Sequence, residues 1–158
     1  MTNSKELVLN IMKEQGKADA LNLRERANDM DGTAIIAEQQ KIPLFDRNKD
    51  YSTWSIGSPV CKVVDGEIQV FKLLQPHNAS HYPGSTPSNS PAMWSICHTK
   101  DVDKAKPYLA PNGTSGMYMT NEVCTKDRKI WRSTKDNNPY PPGETGTEDY
   151  WEEVTESN

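Results

Sequence analysis

The sequence predicts an α+β protein in which a short N-terminal helical segment precedes two small antiparallel β modules that are related by a degenerate repeat. Three observations support this prediction. All 12 aromatic residues lie at Phe45 or later and all 11 prolines at Pro43 or later, so the composition changes near residue 43. Apolar residues recur at helical spacing before that point, and short runs of β-forming residues follow it in two similar sets.

The N-terminal segment, residues 1–43, is expected to be helical and to serve for attachment or oligomerisation. Ser4 is a favourable N-cap, and we expect the first helix to end at Gly16 because glycine is a weak helix former. A second helix is expected over 17–30, and a third, capped by Thr33, after a break at Gly32. The apolar residues at helical spacing include Leu7, Val8, Ile11, Met12, Ala20, Leu23, Ala27 and Met30. These helices would form either a hairpin within one chain or a seam between chains, such as that of a homotrimer.

The chain after Pro43 has the pattern of β-hairpins. Turn residues such as Asp65-Gly66 separate runs of β-forming residues. The runs are 58–64, 67–74, 122–125 and 129–133. Two loops rich in Pro and Asn, 75–91 and 135–146, are typical of binding or mobile loops. Six acidic residues and no Lys or Arg follow from Glu144 onward, which predicts a solvated acidic tail.

Self-similarity within the second part of the chain indicates two units. The matches are Val60-Cys61-Lys62 with Val123-Cys124-Thr125 at an offset of 63, Val70-Phe71-Lys72 with Ile130-Trp131-Arg132 at 60, and Ala92-Met93-Trp94 with Asp149-Tyr150-Trp151 at 57. The decreasing offset places the deletions in turns and loops. We therefore expect a first β unit at 44–98, a linker at 99–115 and a second β unit with the acidic tail at 116–158.

The residues of this repeat resemble the small carbohydrate-binding modules of family 5/12, also called chitin-binding type 3 modules. That family has an aromatic residue, a Gly-Asp turn followed by Val, a second strand with an aromatic residue, a loop with Pro and a closing Trp. The first unit matches it with Trp54-Ser55-Ile56-Gly57-Ser58-Pro59-Val60, Phe71 and Trp94, and the second with Tyr118, Val123, Ile130-Trp131 and Tyr150-Trp151. The resemblance implies a β fold and a sugar-binding surface.

The chain departs from that family at two places. The Gly-Asp turn is Gly57-Ser58 in one unit and Asn121-Glu122 in the other. Where the family has a pair of exposed aromatic residues after the second strand, this chain has Gln75-Pro76 and Lys135-Asp136. The resemblance therefore implies the fold more directly than the ligand.

The chain as a whole also resembles uncharacterised proteins encoded beside tail genes in bacteriophages and prophages of Gram-positive bacteria. The helical start, the sequence Ile42-Pro43-Leu44-Phe45-Asp46 and the run Leu74-Gln75-Pro76-His77-Asn78 carry this second resemblance. It implies a virion protein that is made in the host cytoplasm and assembled with other virion proteins.

Aromatic rings flanked by polar groups are the usual way to bind the apolar face of a sugar. Trp131 is the best single candidate, because it matches Phe71 in strand position and adds a polar N–H and a wider plane. The other candidates are Trp54, Tyr51, Tyr82, Tyr140 and Tyr150. For Trp54 and Trp131, a place in the core is the alternative. The expected core residues are Trp94, Trp151, Phe71, Val60 and Val123.

Composition disfavours several functions. The net charge of −4 provides no basic surplus for nucleic acid, and we expect no membrane span and no signal peptide. We expect no metal, no cofactor and no catalytic residues, since the three histidines lack a partner set and the three cysteines fit small buried thiols.

The leading hypothesis is a non-enzymatic virion protein of the tail, baseplate or surface that binds a cell-surface or cell-wall glycan. The alternatives are a virion adaptor or decoration protein with protein contacts only and an accessory module of a glycoside hydrolase. The absence of a catalytic carboxylate pair argues against the latter.

Overall fold

The computed structural model describes residues 4–155 and shows an α+β protein with N-terminal helices and two separate sheets. The helices are α1 (Ser4–Arg26) and α2 (Gly32–Ala37). A three-stranded sheet has the order β1 (Pro59–Val64), β2 (Glu67–Leu73) and β3 (Trp94–Ile96). A four-stranded sheet has the order β4 (Lys106–Pro107), β5 (Val123–Lys126), β6 (Lys129–Ser133) and β7 (Trp151–Val154). Four 3₁₀ turns lie at Ala27–Asp29, Gln39–Lys41, Ala79–His81 and Val102–Lys104.

The helix α1 passes through Gly16 without interruption, so the expected helical hairpin is wrong. A glycine in a helix interior costs about 1 kcal/mol relative to alanine, and a helix of 23 residues tolerates one such position. The cap of α2 also differs from the expectation. Asp31, not Thr33, is the N-cap, because its carboxylate accepts the Ala34 N–H at 2.8 Å.

The helical segment is not a separate attachment arm along its whole length. Its second half packs on the first sheet, where a buried cluster joins helical residues to strand residues. The members of this cluster are Leu23, Ala27, Ile35, Ile36, Ile42, Cys61, Val70 and Cys97. The first half of α1, from Ser4 to Ala18, is exposed. The boundary between an exposed arm and the folded body therefore lies within α1, about 25 residues before the expected one at residue 43.

The hairpins form where the sequence predicts them. Strands β1, β2, β5 and β6 match the four predicted runs to within one residue at each end. The turn residues Asp65, Gly66, Asp127 and Arg128 all have positive φ, between 52° and 84°. Two consecutive residues with positive φ make a type I′ turn, whose twist matches that of antiparallel strands.

The repeat is present in the structure, and two of its three matches are in register. The second and closing strands agree, since Leu73 pairs with Trp94 in one sheet and Ser133 pairs with Trp151 in the other. The match of the first strands is wrong by one residue. Phe71 pairs with Val60, whereas Trp131 pairs with Cys124, so Val60 corresponds to Cys124 and not to Val123.

Backbone hydrogen bonds identify the residues that set this register. The Gly57 N–H donates to the Leu73 carbonyl at 2.7 Å, and the Asn121 N–H donates to the Ser133 carbonyl at 2.8 Å. Gly57 and Asn121 have φ values of +93° and +75°, a region that Gly and Asn tolerate better than other residues. Gly57 and Asn121, the positive-φ residues that precede the first strand of each unit, thus occupy equivalent positions in the two units.

Each unit is built around one buried tyrosine. In the first unit, Phe45 stacks on Tyr51 at 5.8 Å between ring centres, and Trp94 meets Tyr51 edge to face at 5.3 Å. The Tyr51 hydroxyl accepts the Asp46 N–H at 2.9 Å. The expected core residues Trp94, Trp151, Phe71, Val60 and Val123 are all buried.

The second unit repeats this arrangement with residues from the expected linker. Tyr108 stacks on Tyr118 at 5.6 Å, Trp151 meets Tyr118 at 5.1 Å, and the Tyr118 hydroxyl accepts the Leu109 N–H at 3.2 Å. The strand β4 precedes Tyr108 and pairs in parallel with β5. Residues 106–109 are therefore part of the second unit, and the expectation of a linker over 99–115 is wrong for them.

Candidate functional site

The structure separates the six candidate aromatic residues into a buried one and several surface groups. Tyr51 is fully buried. Its ring forms part of the core of the first unit, and burial raises the pKa of its hydroxyl. Tyr51 therefore offers no surface to a sugar, and its place among the binding candidates is corrected to the core.

Trp131 lies in a cleft of about 260 Å³ between the second sheet and the loop that joins β6 to β7. The ring is partly buried, so it is neither a core residue like Trp94 nor a free surface group. Its indole N–H donates to the Lys126 carbonyl at 3.2 Å. Gly143, at a φ of +76°, lies so close that a Cβ there would be 3.2 Å from the indole Cζ2. These contacts fix the orientation of the ring.

Polar side chains surround the Trp131 ring. The cleft is lined by Glu144, Thr145, Thr147 and Glu148. The Lys126 ammonium donates to the Glu144 carboxylate at 2.8 Å, and the Glu148 carboxylate accepts the Gly146 N–H at 2.9 Å. The loop between β6 and β7 thus holds two carboxylates beside an aromatic ring, and these groups accept hydrogen bonds from hydroxyl or amino groups.

A second aromatic group on the same unit consists of Tyr140 and Tyr150. Their rings meet edge to face at 4.7 Å, and Tyr140 is 44% exposed. The Lys135 ammonium lies 4.8 Å from the centre of the Tyr150 ring. The two tyrosines belong to one candidate surface because the loop between β6 and β7 folds back on itself.

Hydrogen bonds to buried groups fix the position of the loop that carries Tyr140. The buried Asn138 amide donates to the Ser133 hydroxyl and to the Tyr150 carbonyl, both at 3.0 Å. Asn138 also accepts the Tyr140 N–H at 3.1 Å. The Trp151 indole N–H donates to the Tyr140 carbonyl at 2.8 Å. This loop is therefore preorganised. A ligand binds more favourably to such a loop than to one that must first become ordered.

Two candidates belong to the first unit. Tyr82 is 46% exposed and meets the His77 ring at 5.9 Å. Trp54 is partly buried, with the Arg24 guanidinium carbon 4.4 Å and the Lys49 ammonium 5.5 Å from its ring centre. Sequence reasoning missed Arg24 as a partner, because it belongs to a helix 30 residues away and no local pattern connects it to Trp54.

Burial holds three titratable groups neutral at neutral pH, namely Cys97, Cys124 and His98. Burial raises the pKa of Cys97 and of Cys124 to about 12, so both are thiols at neutral pH. Burial lowers the pKa of His98 to about 4. Within residues 4–155, no group of three or more His, Cys, Asp or Glu side chains is arranged to hold a metal ion. In the same part of the chain, neither helix has the length and hydropathy that a membrane span requires.

Comparison with known proteins gives no family assignment. No protein-family model matches the chain, and no curated protein matches it significantly.

Proposed function

We propose that the chain is a non-enzymatic virion protein of a phage or prophage, in the tail, baseplate or surface, and that its second β unit binds a host surface glycan. The Trp131 cleft is the observation that supports glycan binding best. The resemblance of the sequence to phage and prophage proteins supports the place in a virion.

The chemistry of the cleft suits an uncharged or amino sugar. The apolar C–H face of a sugar ring packs on an indole, and its hydroxyl groups donate to carboxylates. Glu144 and Glu148 supply those carboxylates beside Trp131. The Tyr140 and Tyr150 rings, on the same unit, offer a second aromatic surface for a polysaccharide.

Trp131→Ala tests this function. We expect the variant to lose binding to purified host cell walls, because the aromatic platform is removed. Its loss of stability should be smaller than that of a substitution at a fully buried tryptophan. The measurement is a pull-down with cell walls, using protein displayed in many copies on beads, together with a thermal melt. Multivalent display is needed because one small cleft binds weakly and avidity restores the signal.

The matched control is Glu152→Gln. Glu152 lies on β7, where its carboxylate pairs with Arg132 at 3.2 Å outside the cleft. We expect this variant to bind like the unmodified protein. Equal cell-wall binding by Trp131→Ala and the unmodified protein would contradict glycan recognition through this cleft.

The first half of α1 supports a second candidate function, an adaptor or decoration protein that makes only protein contacts. Its apolar side chains are between 49% and 64% exposed, which is unusual for a helix of a monomer. They are Leu7, Val8, Leu9, Ile11 and Met12. Such a surface fits a homo-oligomer, for example a trimer, or contact with another virion protein. It is also compatible with glycan binding by the β units.

A full-chain variant tests self-association better than a deletion. Removing the whole helical segment would also remove Leu23 and Ile35 from the core. We therefore choose the double variant Leu7→Ser with Ile11→Ser, which share one helix face and are both exposed. We expect the mass from light scattering to fall from an oligomer to a monomer. Ile56→Ser, at an exposed apolar position outside the helix and outside the cleft beside it, is the control and should leave the mass unchanged. A monomer before substitution would contradict self-association through α1.

A further inference from the structure

We propose that the cleft between α1 and the first β unit is a second binding site, which takes the carboxylate or phosphate groups of an acidic glycan. The site is separate from the Trp131 cleft. The inference rests on the proposed function only in the choice of a saccharide as the ligand. The cleft has a volume of about 590 Å³ and lies beside Trp54.

Four cations line this cleft. Three of them come from α1, and the fourth comes from the segment before β1. They are Lys13, Lys17, Arg24 and Lys49. Asp46 is the one carboxylate among the lining residues. Lys17 is paired with Glu14 at 3.5 Å, so the positive charge of the cleft comes mainly from Lys13, Arg24 and Lys49, and Asp46 offsets only part of it. This local charge is positive in a chain with a net charge of −4. Such a local concentration of charge attracts an anion at short range.

Arg24 is held in place without a carboxylate partner. Its guanidinium lies 4.4 Å from the Trp54 ring centre, which is a cation–π contact. Within residues 4–155, no carboxylate lies within 4.0 Å of the charged groups of Lys13, Arg24 or Lys49. Arg26, two residues later, is instead paired with both oxygens of Glu38, at 3.2 Å and 3.0 Å. The fold thus neutralises Arg26 and leaves Arg24 available.

Partial burial makes an anion at Arg24 favourable. Desolvation in the cleft lowers the pKa of Arg24, because the charged form loses water contacts there. An oxyanion in the cleft restores hydrogen bonds to the guanidinium, which has a planar set of donors suited to carboxylate and phosphate. The Trp54 ring keeps the guanidinium oriented before the ligand arrives.

The apolar part of the cleft favours a saccharide over other anions. Leu44 is 65% exposed beside the four cations, and Pro43 and Ala20 extend this apolar patch. The C–H face of a sugar ring packs on such a patch while its acidic group reaches the cations. Nucleic acid is a poorer match, because the net negative charge of the chain opposes contact along an extended phosphate backbone. The Trp54 cleft thus offers an acidic sugar both a cationic and an apolar contact.

The test measures the binding of defined polymers to the full chain by isothermal calorimetry. The probes are a galacturonic acid oligomer, a glycerol phosphate oligomer and neutral dextran. We expect one or both acidic probes to bind and dextran not to bind, and the probe that binds identifies carboxylate or phosphate as the acidic group. Binding should weaken at least fivefold between 50 mM and 300 mM salt, since screening reduces exposed charge interactions.

Variants then locate the site. We expect Arg24→Gln to weaken binding of the acidic probe at least tenfold and Arg24→Lys to weaken it less, because lysine keeps the charge without the planar donors. Lys49→Gln should weaken it at least threefold, and this loop variant remains informative if Arg24→Gln disturbs the packing of α1. The control Lys5→Gln changes the charge equally on the same helix but outside the cleft, and it should change the affinity less than twofold.

Several results would overturn the proposal. One is the absence of binding by either acidic probe, and another is equal weakening by Lys5→Gln and Arg24→Gln. Equal binding of poly-glutamate or double-stranded DNA with the same Arg24 dependence would identify a general polyanion surface instead of a glycan site. Trp131→Ala should leave binding of the acidic probe unchanged. If Trp131→Ala abolished it, the ligand would lie in the second unit, and only the proposal for the Trp54 cleft would fail.

Discussion

Trp94→Ala is expected to lower the free energy of unfolding by about 3–5 kcal/mol, the usual cost of removing a fully buried tryptophan. Trp94 is 1% exposed and touches three other rings of the first unit. Its ring centre lies 5.3 Å from that of Tyr51, 5.8 Å from Phe45 and 5.7 Å from His77. No other part of so small a unit can fill the resulting cavity, so we expect the unit to unfold. Urea denaturation followed by circular dichroism measures the loss.

Trp54→Ala is the matched control in the same unit. Trp54 is only partly buried, and its removal leaves the Tyr51 and Trp94 contact in place. We expect it to cost clearly less than Trp94→Ala. Equal destabilisation by the two variants would show that the buried ring cluster does not dominate the stability of the first unit.

Acidification from pH 6.5 to pH 4 is expected to reduce the stability by about 3 kcal/mol through His98 alone. Burial lowers the pKa of His98 from 6.5 to about 4 in the folded protein. Between these two values the unfolded chain binds the proton and the folded protein does not, so protonation favours unfolding. The contribution of His98 is fully present above pH 6.5, declines as the pH falls and is lost below pH 4. Urea denaturation at a series of pH values measures the slope.

The environment of His98 explains the size of this effect. The imidazole stacks on Tyr118 with ring centres 3.7 Å apart, and its Nε2–H donates to the Gly116 carbonyl at 2.9 Å. Glu122 has the opposite effect on the stability. Burial raises the pKa of its carboxyl, so the folded protein binds this proton more readily than the unfolded chain does, and lower pH favours the folded state. Glu38 affects the stability only at lower pH. Arg26 lowers the pKa of its carboxyl to about 2, so its contribution to the stability is lost only below pH 4.5.

His98→Phe isolates the histidine contribution. A phenyl ring keeps the stack on Tyr118 and cannot titrate, although it leaves the Gly116 carbonyl without this donor. We expect the variant to lose most of the decline in stability between pH 6.5 and pH 4. A variant whose pH dependence equals that of the unmodified protein would show that other groups cause the decline.

The sequence predicts the hairpins well because their signals are local. The alternating apolar residues and the positive-φ turns at Asp65 and Asp127 lie in the same hairpins as the contacts that they form. The one-residue error at Val60 has a local cause too. Valine and cysteine are both small and apolar, so the paired Val-Cys sequences align equally well by composition, although the left-handed Gly57 and Asn121 mark the true register.

The features that the sequence does not reveal depend on distant parts of the chain. The two residues of β4 have no periodicity, and only their pairing with β5 defines them as a strand. The same reason applies to the sites. Trp54 and Trp131 can be chosen as aromatic candidates, but Arg24 and Glu148 are brought to them by the fold.

The location of β4 determines where the chain can be divided. Besides pairing with β5, β4 accepts a hydrogen bond from the Gln69 amide at the Pro107 carbonyl, and the Lys106 ammonium donates to the Ile68 carbonyl. The same two residues therefore complete the second sheet and fasten it to the first. A cut after residue 109 would leave β4 and Tyr108 on the N-terminal fragment, although their main partners lie on the C-terminal one. Two such fragments would have complementary surfaces and would be held together without a covalent link, whereas a module excised from residue 116 onward would lack one of its own strands.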